Sequence, residues 1–175
     1  MAGVVKKFSL LLFILSFLCL SSCSKDSVFV DTDAVIKENT EQMMQCIIDR
    51  NAEKLLTFFS DDMRENESEK TLEEIEQLFD FIDGDIVSYS YSSGGLYGSV
   101  SNSEYELYLC EPTFQKTETS TEKIYTIQFA YDYIWKGKPE YEGISKIIAF
   151  PGEDWGNRDE GVTVGKYHEL PSVWE

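Results

Sequence analysis

Tyr125-Thr-Ile-Gln-Phe-Ala-Tyr-Asp-Tyr-Ile-Trp135 is the stretch on which the fold turns. Tyr125, Ile127, Phe129, Tyr131, Tyr133 and Trp135 are large and apolar or aromatic, and they alternate with Thr126, Gln128, Ala130 and Asp132. A period of 2 marks a β-strand, because successive side chains leave opposite faces of a sheet. The pattern predicts the aromatic row on a covered side and Thr126, Gln128 and Asp132 facing outward. Lys136-Gly-Lys-Pro139 reads as a turn. Ile144 to Phe150 then supplies the hairpin partner. A polar loop with Gly152, Gly156 and Gly161 leads to a last short strand at Val162 to Val164.

Upstream, Tyr105, Leu107 and Leu109 alternate with Glu106, Tyr108 and Cys110, and Val87, Tyr89 and Tyr91 alternate with serines. Ser93 to Ser103 is rich in Gly and Ser and reads as a connection between them. Before Gly84 the period is 3.6. Thr71 and Glu74 have capping-box spacing. Leu72, Ile75, Leu78, Phe79 and Ile82 form one stripe, and Gly84 is a natural stop. Phe81 lies off the stripe, so it either meets a second surface or is exposed. Asp61 to Lys70 reads as a charged loop. Ala52 to Ser60 carries a short helical pattern, and an earlier helix runs from a cap at Asp33 to about Arg50. Its face holds Ile36, Met43, Met44, Ile47 and Ile48. Three helices followed by a meander of strands give an α+β fold, the helices packed on an antiparallel sheet. Half-polar strands predict one sheet face on the helices and one in water.

The N-terminus is of another kind. Lys6 and Lys7 precede an uncharged run from Phe8 to Leu20, 13 residues long. At about 1.5 Å per residue such a run falls short of a ~30 Å hydrocarbon core. It has the layout of a secretory signal. Leu20-Ser-Ser-Cys23 resembles the bacterial lipobox, in which a cysteine is lipidated and becomes the first residue of the mature chain. The expected organisation is a signal peptide at 1–22, lipidated Cys23 with a tether to 32, and one α+β domain over 33–175. The expected location is the extracytoplasmic face of the cell membrane, with an acyl anchor on Cys23. The formal charge is −17 and deepens when Lys6 and Lys7 are removed. That charge speaks against nucleic acid and anionic headgroups as partners.

The chain has one histidine, His168, and no His-x-x-x-His, CxxC or Gly-x-Ser-x-Gly. Zinc sites and Ser/Cys–His catalysis need more than this, so no catalytic residue, metal or cofactor is assigned. His168 reads as a surface or satisfied residue. Two acidic clusters, Asp61 to Glu69 and Glu153 to Glu160, lack the spacing of a calcium loop. Cys46 and Cys110 are free to pair or to be simply buried. The aromatic row is core in the first instance. Its hydroxyls need partners, however, and Tyr91, Tyr131, Tyr133 and Trp135 are the candidate ligand-binding residues, with Tyr91, Tyr131 and Tyr133 beside any cavity.

Leu55-Leu-Thr-Phe-Phe-Ser60, Ile75-Glu-Gln-Leu-Phe-Asp-Phe-Ile-Asp-Gly84, Pro139-Glu-Tyr-Glu-Gly-Ile144 and Gly94-Gly-Leu-Tyr-Gly98 resemble a family of bacterial lipoproteins of unknown function, found mainly in Firmicutes. The order of elements resembles the nuclear transport factor 2-like, or cystatin-like, cone, and implies a curved sheet. No catalytic residues come with that resemblance. The function expected is a lipid-anchored, non-enzymatic module binding a small ligand or a protein. Two other classes stand beside it: a hydrolase or isomerase with a pocket acid and tyrosines, and an envelope or immunity-type interaction subunit.

Overall fold

The computed structural model describes residues 32–94, 96–101 and 106–168. The signal segment, Cys23 and the tether up to residue 31 lie outside the described residues. The rest belongs to one compact unit that begins at Thr32.

Helix α1 (Thr32–Ile48) buries Ile36, Met43, Met44 and Ile47, as their spacing predicts, with Asp33 inside its first turn. Asn51 ends one helix and starts the next, its side chain accepting the Lys54 N–H as N-cap of α2 (Ala52–Leu56). The charged stretch after it is not a loop. Ser60 caps α3 (Asp61–Asn66) by accepting the Met63 N–H, and Asp61 and Asp62 occupy the first turn, where the helix dipole favours acids. Helix α4 (Ser68–Phe81) begins about one turn before the capping-box position. Thr71 is buried within it and donates to the Glu67 carbonyl. Glu74 does not reach back to Thr71; its carboxylate accepts the Gly165 N–H at 2.8 Å. A tertiary partner overrides the local pattern. Ile75, Leu78, Phe79 and Ile82 are buried, and Glu73 and Gln77 are exposed. Arg50, at the end of α1, donates to the carbonyls of Phe79, Ile82 and Gly84 and so closes the C-terminal end of α4.

Among the described residues, seven strands follow in one sheet. β1 (Ile86–Ser92) pairs antiparallel with β4 (Thr113–Thr119), and β2 (Leu96–Ser101) with β3 (Glu106–Cys110). β3 and β4 pair with the two halves of β5 (Ile124–Trp135); β6 (Gly143–Pro151) and β7 (Val162–Gly165) complete the meander. The connection expected at Ser93 to Ser103 therefore contains β2. β4 has no apolar alternation and is not foreseen by it.

The long strands break at one level. Gly94 has φ +70°, and a Cβ there would stand 1.8 Å from the Glu111 carbonyl oxygen. Pro112, next along, has no N–H to donate, and its carbonyl accepts the Phe129 N–H at 3.0 Å. These kinks bend the sheet over the helices. Gly94→Ala is expected to cost at least ~2 kcal/mol, from left-handed strain and backbone clash together. Gly152→Ala supplies the control: its φ is +73°, yet the nearest atom to a new Cβ is 3.6 Å away. Urea unfolding of both variants compares them, and an equal loss would refute the clash.

The inner sheet face carries Phe114, Ile127, Phe129, Ile147 and Val164 into the core with the helices. Phe81 meets Tyr125 edge-on, with ring centroids 5.5 Å apart, so it has its second surface. Cys46 and Cys110 are both buried and free. The outer face departs from expectation. Thr126, Gln128 and Asp132, expected in water, are 1%, 7% and 4% exposed. The 3-10 turn Trp155–Glu160 and the segment through His168 cover them. The sequence of β6 gives the reason. Ile147-Ile148-Ala149-Phe150 is continuously apolar, the pattern of a strand buried on both faces.

Candidate functional site

β5 changes its pleat near its end. Along β3 the pairing runs from Leu109–Asp132 to Tyr108–Ile134, leaving an extra residue at Tyr133. A bulge of this kind re-aims the side chains that follow it. Trp135 consequently lies on the side of Asp132 and not with Tyr131 and Tyr133, correcting the single-face expectation. Its ring meets Tyr141 and His168 at centroid distances of 5.2 and 5.9 Å.

The four aromatic candidates are thus divided. On the inner face, Tyr131 accepts a hydrogen bond from Asn39 at 3.1 Å and meets Tyr133 edge-on. An open groove of about 280 Å³ runs beside these two, bounded also by Met43, Phe58 and Glu142. Tyr91 does not line it. Its ring packs edge-on against Phe114, and its hydroxyl lies beside Thr40 without a well-formed hydrogen bond. Burial raises the Tyr91 and Tyr131 hydroxyl pKa values.

The larger cavity is on the outer face, about 450 Å³, lined by Asp132, Trp135, Ser145, Arg158, Tyr167 and His168 among others. Strand β5 supplies Asp132 and Trp135, and β6 supplies Ser145. The turn after β6 supplies Arg158, and the segment after β7 supplies Tyr167 and His168. Asp132 and His168 are almost fully enclosed, their side chains 6% and 3% exposed. His168 stacks on Tyr141, the rings 4.3 Å apart and 9° from parallel. Its Nε2 lies 3.1 Å from Ser60 Oγ and 3.8 Å from Asp132 Oδ2. Burial holds the imidazole below its usual pKa and hence neutral. The Nε2–Ser60 hydrogen bond occupies that nitrogen, and 3.8 Å is beyond hydrogen-bond reach. Asp132 Oδ2 is therefore buried without a partner, and Trp135 Nε1 is too. Desolvation raises the Asp132 carboxyl to about 7, opposed by a hydrogen bond from Ser145. Near neutral pH it exchanges a proton readily, and when protonated it both donates and accepts.

At the rim, Glu111 accepts from Gln128 at 3.2 Å and from the Tyr167 hydroxyl at 2.9 Å. Lys146 lies over the Tyr167 ring, 4.6 Å from its centroid. Among the described residues no group of three or more His, Cys, Asp or Glu side chains is placed to hold a metal ion.

A family profile described as a domain of unknown function (DUF5104) matches residues 42–151, well over half of the chain. The chain belongs to the DUF5104 family. The DUF5104 match takes in α2 to α4 and β1 to β6, with both Asp132 and Trp135. Arg158, Tyr167 and His168 follow it. Among curated proteins no match is found.

Of the two readings of His168, surface or satisfied, the second holds, its ring buried and its Nε2 bonded to Ser60, and Asp132 is outward but dry. An isolated histidine beside Tyr167 in a polar tail carries no spacing signal. The continuous apolar run of β6 was the trace of a covered outer face, and Trp155 and Tyr167 were the aromatic residues available to cover it.

Proposed function

We propose that this DUF5104 protein is a lipid-anchored, extracytoplasmic module that binds a small ligand, without turning it over, in the cavity on the outer sheet face. The observation that carries the proposal is the pair of buried, unpartnered polar atoms in one cavity, Asp132 Oδ2 and Trp135 Nε1. A buried polar atom without a partner is costly. A ligand carrying a carbonyl or hydroxyl satisfies both, and the volume suits a small organic molecule. The inner groove offers less, since the Tyr131 hydroxyl already has Asn39.

Mass spectrometry of the full chain, purified in mild detergent, tests the proposal by identifying what co-purifies. Trp135→Phe removes the N–H and keeps a ring against Tyr141 and His168. It is expected to weaken that ligand by about 0.5–1.5 kcal/mol, the net worth of one hydrogen bond, with the fold intact. Unchanged affinity would place the ligand elsewhere.

One observation favours an enzyme instead: a carboxyl near pKa 7 beside an imidazole and within the same cavity as Tyr167. Recovery of the ligand chemically altered after incubation distinguishes turnover from binding.

The anchor rests on Leu20 to Cys23 and the charge layout before them. Cys23→Ala is expected to abolish metabolic palmitate labelling and leave the protein unprocessed or shed. Label retained in the variant would end the lipid-anchor proposal.

A further inference from the structure

Half of the basic side chains among the described residues are matched to acids. Lys37, Lys70, Lys116, Lys123, Lys166 and Arg64 each lie within ion-pair distance of a carboxylate. Arg50, Lys54, Lys136 and Lys138 make no such pair among the described residues, and neither do Lys146 and Arg158. Both stand at the mouth of the outer cavity. Arg158 lines it, and Lys146 covers the ring of Tyr167, another lining residue. Burial lowers the Lys146 pKa, and the neighbouring charge of Arg158 lowers it further. Glu111, an acid that lines the same cavity, has its oxygens engaged by Gln128 and Tyr167. Two neighbouring cations at one cavity, neither in an ion pair, can take up an anionic group. The depth of the same cavity holds the opposite kind of want. Asp132 Oδ2 and Trp135 Nε1 are unpartnered, and Leu109, Ala130 and the indole ring supply apolar wall between depth and mouth.

We infer that the ligand is a small organic acid, its carboxylate held at the mouth by Arg158 and Lys146 and its uncharged carbonyl or hydroxyl end hydrogen-bonded in the depth to Trp135 and Asp132. The inference rests on the binding proposal above and narrows it to a ligand class. A carboxylate at the mouth relieves the repulsion between the two cations, and Arg158 adds charge-assisted hydrogen bonds. A neutral polar end in the depth avoids placing a second anion beside Asp132. Organic cations are disfavoured at the mouth, and inorganic phosphate is too short to reach both ends.

The test uses the full chain in detergent and a panel of 4-hydroxybenzoate, 4-hydroxyphenylacetate and 6-hydroxyhexanoate, each beside its uncharged primary amide. Titrations follow the indole N–H resonance of Trp135, assigned by its loss in Trp135→Phe. At least one acid is expected to shift that resonance and to bind about tenfold or more tightly than its amide. In Lys146→Gln/Arg158→Gln the acid is expected to lose its advantage over its amide. Both side chains are at the surface rim, so the fold survives the double change, and an unchanged urea unfolding midpoint verifies that. Amides binding as tightly as acids, or an acid preference that outlasts the double change, would overturn the organic-acid assignment and leave the binding proposal standing. A Trp135 resonance that no member of the panel moves overturns the assignment too. If the co-purification experiment also yields no ligand, the binding proposal falls with it.

Discussion

Asp132→Asn is expected to stabilise the protein by up to about 4 kcal/mol at pH 8 and by little near pH 4. The carboxyl is raised from 3.8 to about 7, with burial as the leading cause. Each tenfold gain in proton affinity on folding is worth about 1.4 kcal/mol. The folded chain binds this proton more tightly than the unfolded chain does, so the group's contribution to stability falls as pH rises. The penalty is absent below the unfolded value near 4, grows through the window, and is complete above about 7. Asparagine keeps the shape and removes the charge. Groups facing Asp132 from other elements do not mimic this window. Cys110 on β3 is pushed up to about 12 and stays a thiol. Burial lowers the His168 pKa below its usual value of 6.5. Its Nε2 stands 3.8 Å from Asp132, so the same comparison in a His168→Gln background isolates the Asp132 titration. Urea unfolding of both proteins at pH 4.5, 6 and 8 measures the effect. A difference that does not change with pH would mean that Asp132 is solvated, and the dry cavity floor would be lost with it.

Asp132 also shows where sequence patterning reaches its limit. Period 2 in Tyr125 to Tyr133 placed its side chain on the correct face, since alternation is a property of the strand itself. What lies over that face is a tertiary fact. A buried outer face was legible only in β6, where Ile147 to Phe150 has no polar alternation. The Trp135 reversal depends on a bulge set by pairing with β3, far back along the chain, and no local residue announces it. The same distinction runs through the helices. Stripes such as Ile75, Leu78, Phe79 and Ile82 are repeated many times and survive translation into structure. Single-residue signals do not: Glu74 had the spacing to cap its own helix and instead holds the Gly165 N–H. Strand β4 was hidden because Thr113 to Thr119 is rich in threonine. There β-branching, not apolar alternation, favours the extended chain. Within the candidate site, Tyr131 and Tyr133 flank a groove, Trp135 and Asp132 form the larger cavity, and Arg158, Tyr167 and His168 were beyond reach of any motif.

Phe79→Ala is expected to cost about 3–5 kcal/mol, the range for emptying a buried aromatic site in a packed core. Phe79 is 3% exposed, on the α4 face that also buries Ile75 and Leu78. The site has little freedom to collapse into the space left behind. Arg50 ties the Phe79 carbonyl at 2.6 Å and the Ile82 carbonyl at 2.9 Å. Earlier in the helix, Glu74 pins α4 to β7 through the Gly165 N–H. A helix held at both points cannot slide to fill a cavity, so the cost belongs in the upper part of the range. Glu73→Ala and Gln77→Ala, on the exposed face, are expected to stay within about 0.5 kcal/mol of the parent. Denaturant unfolding of the three variants side by side checks both halves of the expectation. A loss below about 1 kcal/mol for Phe79→Ala would show that α4 relaxes freely, and that the Arg50 and Glu74 ties do not hold it.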